Sequence, residues 1–264
     1  RFILGLEALA RPDERVDARL RGTAIHAALE QFAEAWPTLD PATASETFVG
    51  LYLDRLRDGG LPEAGLARED VLARNVAAWA VGFEAARRAD GAAILIEQRG
   101  VMEIDAPREP FRLSARADRL ELHDGRLTVM DFKTGGAPSW KQVRTGFSPQ
   151  LSLTAAIARA GGFPGLGNPE PGQLLYVTVT GRRPPATEVD RSGDVQKKEA
   201  QPIAVTVDEA LQGLNRLIAA YERADKPYVS RLAPPFAQRT FSDYDHLARV
   251  REWSVADEAE TEEE

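Results

Sequence analysis

Asp118 and the triplet Asp131-Phe132-Lys133 stand on either side of Asp124-Gly125, and that spacing can bring them together. An Asp-Gly pair between alternating apolar residues signals a two-residue hairpin turn, because both central positions take positive φ. With Asp124 and Gly125 as the loop, His123 pairs with Arg126. The same register carried outward sets Asp118 opposite Asp131 and Arg116 opposite Lys133, all on one face. Directly opposed residues have Cα atoms ~4.5–5.5 Å apart. Leu120, Leu122, Leu127 and Val129 share that face and mark it as the core side; Arg119, Glu121, Thr128 and Met130 take the other. Two carboxylates facing each other on an apolar surface repel and lose hydration, at a cost of several kcal/mol per ion unless something compensates. A divalent cation is the natural compensation, and Lys133, two residues past Asp131, points to the same side. The set suits hydrolysis of a phosphodiester: acids hold Mg²⁺, with Mn²⁺ as a substitute, while a cation stabilises the charge that develops in the transition state. The bland alternative is a solvated Asp–Lys pair at a strand end.

Other side chains are ambiguous taken singly. His26 lies at the shoulder of an apolar helical stripe, with Gly22 one turn earlier and Glu30 one turn later; such a histidine is commonly a packing or capping residue, and such a glutamate a solvated one. Gln150 falls in the first turn of a helix that Ser148-Pro149 opens, where free N–H groups favour anions. Glu97, in the first strand, is either a surface acid or an extra ligand.

The elements that must position these residues follow from periodicity. Ile25, Leu29, Phe32 and Trp36 mark a first helix that Pro37 ends; Phe48 to Leu56 and Leu72 to Phe83 mark two more. Strands are expected at Ala93–Ile104, Phe111–Leu122 and Arg126–Lys133, then a helix from Ser148 to Gly161, strands at Gln173–Thr180 and Pro202–Val207, and a helix at Asp208–Arg223. Gly181 to Ala200 reads as a polar, basic loop. The expected divisions are a helical extension over 1–92, an α/β core over 93–225, a segment packing back over 226–256, and an acidic disordered tail over 257–264.

Composition narrows the class. The 264 residues include no cysteine, which excludes disulfides and iron–sulfur clusters within the chain and fits a reducing, cytoplasmic setting. No apolar run approaches the ~20 residues that cross a membrane. The net charge is −8, but the tail from Asp257 supplies six of the negatives, whereas Arg108 to Arg144 holds eight Lys/Arg against five Asp/Glu. The neighbourhood of the paired acids is therefore locally basic, as a nucleic-acid partner requires. No GxxxxGK[ST] pattern for ATP is present. The first residue, Arg1, leads an apolar stretch and suggests a segment of a longer polypeptide.

Four short motifs, in order, resemble those of RecB-type nucleases. Arg21-Gly22-Thr23-Ala24-Ile25-His26 is similar to GxxxH, Ser114 to Arg119 to GRxDR, Asp131-Phe132-Lys133-Thr134-Gly135 to D-[YF]-K-T-G, and Pro149 to Leu153 to the following Q-L motif. Together they resemble the PD-(D/E)XK nuclease superfamily, and with Asp243 to Arg249 and Glu252-Trp253-Ser254 they resemble the C-terminal nuclease domain of the AddB family, subunits of bacterial AddAB helicase–nucleases. The resemblance implies an α/β core, a mixed central sheet flanked by helices, behind a helical extension. It implies His26, Asp118, Asp131 and the Phe132 carbonyl as metal ligands, Lys133 as catalytic cation and Gln150 as organiser. It also implies a Mg²⁺-dependent exonuclease acting on single-stranded DNA ends in double-strand break repair, beside an AddA-type helicase–nuclease. Three departures stand out: Ala115 replaces a glycine and crowds the approach, Thr154 replaces the tyrosine of Q-x-x-x-Y, and the four cluster-binding cysteines of many relatives are missing. A module that keeps the fold and binds DNA without cutting it, a small-phosphoester hydrolase and a purely structural scaffold are the rival readings.

Overall fold

The computed structural model describes residues 18–89, 91–192 and 201–227. The described residues fall almost wholly within one compact unit, Arg15–Glu222. The expected back-packing segment over 226–256 and the acidic tail fall almost wholly outside the described residues.

Three helices come first: α1 (Ala18–Ala35), α2 (Ala44–Asp58) and the 27-residue α3 (Glu63–Ala89). The α1 stripe of Ile25, Leu29 and Phe32 is buried, and Phe32 meets Phe48 of α2 edge to face at 5.4 Å. Burying each of these rings is worth ~1.5–3 kcal/mol. Strands β1 (Ala93–Ile104), β2 (Phe111–His123) and β3 (Arg126–Lys133) follow. After a short α4 (Trp140–Arg144) and α5 (Gln150–Arg159) come β4 (Glu170–Val179), β5 (Ala186–Asp190) and α6 (Ile203–Tyr221). The five strands form one mixed sheet in the order β1-β2-β3-β4-β5. Among the described residues only β3 and β4 run parallel, and the crossover that parallel pairing demands carries α4 and α5.

The β2–β3 turn is the expected one, with Asp124 at φ 48° and Gly125 at φ 74°. His123 faces Arg126, and the ladder keeps this register to Arg119 opposite Met130. Regular pairing stops there, one step short of Asp118 and Asp131.

Both faces of the sheet are buried, which corrects the expectation of a single core side. Met130, Phe132, Leu175 and Val177 pack against α1, α2 and α3. Leu120, Leu127, Val129, Leu174 and Tyr176 pack against α5 and the start of α6. Arg119 and Glu121 are therefore buried, and they are paired: Arg119 binds Glu84 of α3 and, at 2.6 Å, Glu121, while Arg87 reaches Glu121 at 3.2 Å. Charges removed from water need such partners.

Other elements differ from expectation. Pro202–Val207 is not a strand; its β-branched residues belong to the first turns of α6, where Val207 is fully buried. Packing of an amphipathic helix outweighs the weak local preference. The supposed loop after Gly181 contains β5, a short polar edge strand. Pro149, not Ser148, caps α5, with no side-chain bond; a serine capping box is found at Ser139 of α4 instead.

Candidate active site

At the C-terminal end of β3, Asp131 is 3% exposed. Its Oδ1 accepts a hydrogen bond at 2.6 Å from Nε2 of Gln150 in the first turn of α5. Lys133 Nζ lies 2.6 Å from Asp131 Oδ2 and 3.4 Å from Gln150 Oε1. Apart from this ion pair with Lys133, the buried Oδ2 has no hydrogen-bond partner among the described residues. Burial, and then the charge of Asp118, hold the Asp131 carboxyl above its ordinary pKa despite Lys133.

Asp118 completes the other side. Its Oδ2 accepts from the main-chain N–H of Phe132 at 2.9 Å and lies 3.4 Å from His26 Nδ1. Burial works against the imidazolium of His26, but the bond to and charge of Asp118, with Asp131, outweigh it and raise its pKa. A glycine at position 22 lets α1 come this close: a Cβ there would meet Thr134 Oγ1 at 3.3 Å. His26, Asp118, Asp131, Lys133 and Gln150 are thus brought to one end of the sheet, and the Phe132 carbonyl lies in the segment between Asp131 and Lys133.

Arg116 does not share a face with Lys133. Lys133 sits with Gln150 of α5 and stands 5.8 Å from the Tyr176 ring centroid. Arg116 instead pairs with Glu97 and, at 3.5 Å, with Glu30 of α1. The cause is local. Ile96 faces Arg119 and Gln98 faces Ala117, which leaves Glu97 and Asp118 together outside regular pairing. Leu113, Ala115 and Ala117 before this point, and Leu120 and Leu122 after it, pack into the same core cluster. The sidedness of β2 therefore changes at Asp118. Glu97 has φ 51°, a costly conformation for a side chain of its size. Burial and the charge of Asp118 raise its pKa, against the pull of Arg116. Glu97 thereby joins the edge of the site. Ala115 does not crowd the approach, because its methyl packs into the second core cluster opposite Gly100.

Sequence reasoning missed Tyr176. It sits opposite Asp131 in the parallel β3–β4 ladder, fully buried, its hydroxyl without a hydrogen bond among the described residues. Burial and the charge of Asp131 push its pKa up to about 12. Its ring stands beside Lys133, while Thr154, at the motif's tyrosine position, is a small buried residue of α5. Only the strand register links positions 131 and 176.

The oxygen-rich donor set fits a hard divalent ion, and the buried Asp131 Oδ2, partnered by Lys133 alone among the described residues, is an atom such an ion would share. Among the described residues, however, no three carboxylates or imidazoles converge into a complete cage. The acids are held by Lys133, Gln150, His26 and the Phe132 N–H.

The sequence model of the PD-(D/E)XK nuclease superfamily matches residues 1–232. The chain belongs to this superfamily. The mixed five-stranded sheet flanked by helices is consistent with a PD-(D/E)XK fold. An uncharacterized protein of Rickettsia bellii (strain RML369-C) is 24% identical over 240 residues, covering 86% of this chain and 27% of that protein. One of Rickettsia conorii (strain ATCC VR-613 / Malish 7) is 25% identical over 178 residues, covering 63% of this chain and 21% of its own. The chain thus spans about a quarter of the length of these relatives. The crystal structure of SSO0001 is similar over 73% of each chain, at 14% identity and a TM-score of 0.28. Members of the superfamily are in general nucleases that use divalent metal ions. Among the described residues no helix is long and apolar enough to cross a membrane.

Proposed function

We propose that this chain is a Mg²⁺-dependent deoxyribonuclease domain, with Mn²⁺ as a substitute ion. One observation carries the reading: the buried Asp131 carboxylate is ion-paired with Lys133 at 2.6 Å and bonded by Gln150, with Asp118 and His26 adjoining. Asp118, Asp131, His26 and the Phe132 carbonyl would hold the ion, which supplies Lewis-acid activation of water and neutralises charge on the phosphate. Gln150 fixes the Asp131 carboxylate by its 2.6 Å bond, and the Phe132 N–H fixes Asp118. Lys133 Nζ, tethered between Asp131 and Gln150, donates to the attacking water or to the phosphate oxygen on which charge builds. His26 and Asp131 must both be deprotonated for the site to act.

The motif order supports a finer reading: a RecB-like exonuclease of the AddB kind, cutting single-stranded ends during double-strand break repair beside an AddA-type helicase–nuclease. The relatives, some four times longer than the matched segment, leave room for such an assembly. The test is incubation of linear single- and double-stranded DNA with the chain and Mg²⁺, alongside Asp131→Ala and Lys133→Ala. Degradation that both substitutions abolish is the expected result. Equal degradation by both variants overturns the assigned roles, and tight binding without turnover supports the rival binding module.

A further inference from the structure

Beside the site, a cavity of about 500 Å³ opens between α1, α3 and the ends of β3 and β4. Its volume lies within the ~300–1,000 Å³ of pockets that take small ligands. It adjoins the catalytic strand directly, because Thr134, Gly135 and Gly136, which follow Lys133, form one wall. Ile25, Leu72, Val76 and Val179 give it an apolar floor.

The rim is basic. Arg21, Arg68 and Arg182 all line the cavity. Arg21 is already neutralised: its Nε donates at 3.0 Å to Glu69, a fully buried acid that also accepts from Tyr52 at 2.9 Å. Arg68 and Arg182 are exposed, and neither has an acidic partner among the described residues. Two guanidinium groups without an acidic partner among the described residues thus line an apolar recess. On the opposite wall, Gly135 and Gly136 have open space where a Cβ would stand, so a ligand can approach the main chain.

An apolar floor with such guanidinium groups at its mouth matches a nucleotide, whose base stacks on nonpolar or aromatic surface while its phosphate pairs with arginine. We propose that this cavity holds one unstacked nucleotide of a single DNA strand, next to the scissile phosphate. Its base rests on Ile25, Leu72 and Val76, and its phosphate binds Arg68 and Arg182. The inference rests on the nuclease reading for its substrate, yet it concerns binding and not hydrolysis.

The test is fluorescence anisotropy of fluorescein-labelled oligothymidylate with metal chelated, so that no cleavage occurs. Arg68→Ala/Arg182→Ala is compared with the unaltered chain and with Arg183→Ala, which removes a neighbouring charge that does not line the cavity. The double variant is expected to bind about tenfold more weakly, with its salt slope smaller by ~0.7, the value for one phosphate of a single strand. Arg183→Ala is expected to stay within about twofold, and all three proteins to melt alike, since these side chains are exposed. An equal loss in Arg183→Ala, no loss in the double variant, or no binding by the unaltered chain overturns the pocket. Selective loss in a chain that cuts no DNA with Mg²⁺ supports the pocket and sinks the nuclease reading alone. Normal cutting with unchanged binding does the reverse.

Discussion

Asp118 accepts, through its side chain, the main-chain N–H of Phe132 at 2.9 Å. This bond forms just where the ladder between β2 and β3 ends, so a carboxylate takes a donor that strand pairing would otherwise use. The acid is thereby both a terminator of pairing and a candidate ligand, and two substitutions separate the roles. Asp118→Asn keeps an acceptor oxygen and is expected to melt within about 2 °C of the unaltered chain, a change below ~1 kcal/mol. Asp118→Ala leaves a part-buried N–H unbonded and costs ~1–3 kcal/mol. Both are expected to lose at least about 100-fold in DNA cleavage, the scale of losing one electrostatic stabiliser. Thermal melts and single-turnover assays provide the check, and full activity in Asp118→Asn removes Asp118 from the ligand set.

The pH dependence has a definite sign. His26 is raised, so its contribution to stability is complete below the ordinary histidine value of about 6.5 and fades as pH rises through its folded value. Asp131 is raised as well, so ionising it also weakens the metal-free fold as pH rises from the ordinary carboxylate range. A divalent ion needs both groups deprotonated. The gap in melting temperature with and without MgCl₂ should therefore widen from about pH 5.5 to about pH 8, across the histidine range. A gap that does not change with pH would remove His26 and Asp131 from metal binding.

Glu97 combines a carboxylate with a backbone that glycine adopts more readily, at φ 51°. Glu97→Gly and Glu97→Ala both delete the acid, but only glycine relieves the strain. The glycine variant should be more stable by ~1 kcal/mol, readable in denaturant midpoints. If the alanine variant equals or exceeds it, the backbone at this position carries no strain.

Tyr176 stands beside Lys133 through its ring, while its hydroxyl makes no hydrogen bond among the described residues. Tyr176→Phe removes an unsatisfied polar atom and should leave stability unchanged or higher, with cleavage within about twofold. Tyr176→Leu removes the ring under the ammonium, worth ~0.5–2 kcal/mol, and should slow cleavage about tenfold. A large loss in Tyr176→Phe instead would point to a direct role for the hydroxyl.

Much of this was legible in the chain. The Asp124-Gly125 turn fixed the register of β2 on β3, and the expected bounds of β1 and β3 match the strands. The motif order pointed to the superfamily. The paired irregularity at Glu97 and Asp118 was not legible, because a hairpin register assumes that sidedness alternates without interruption. Nor was the start of α6, whose Ile, Val and Thr read as strand until a core exists for them to pack against, although the helix from Asp208 onward was expected.

Sequence by itself determined which groups are available: the acids, the imidazole, the lysine and the turn that brings two of them near, all through short-range stereochemistry. Tertiary structure decided which partner each one meets. α1 carries His26 to Asp118, α5 carries Gln150 to Asp131, and parallel pairing seats Tyr176 beside Lys133. Those contacts join residues distant along the chain, and they exist only because both faces of the sheet are covered by helices, an outcome of burying apolar surface that no local pattern encodes.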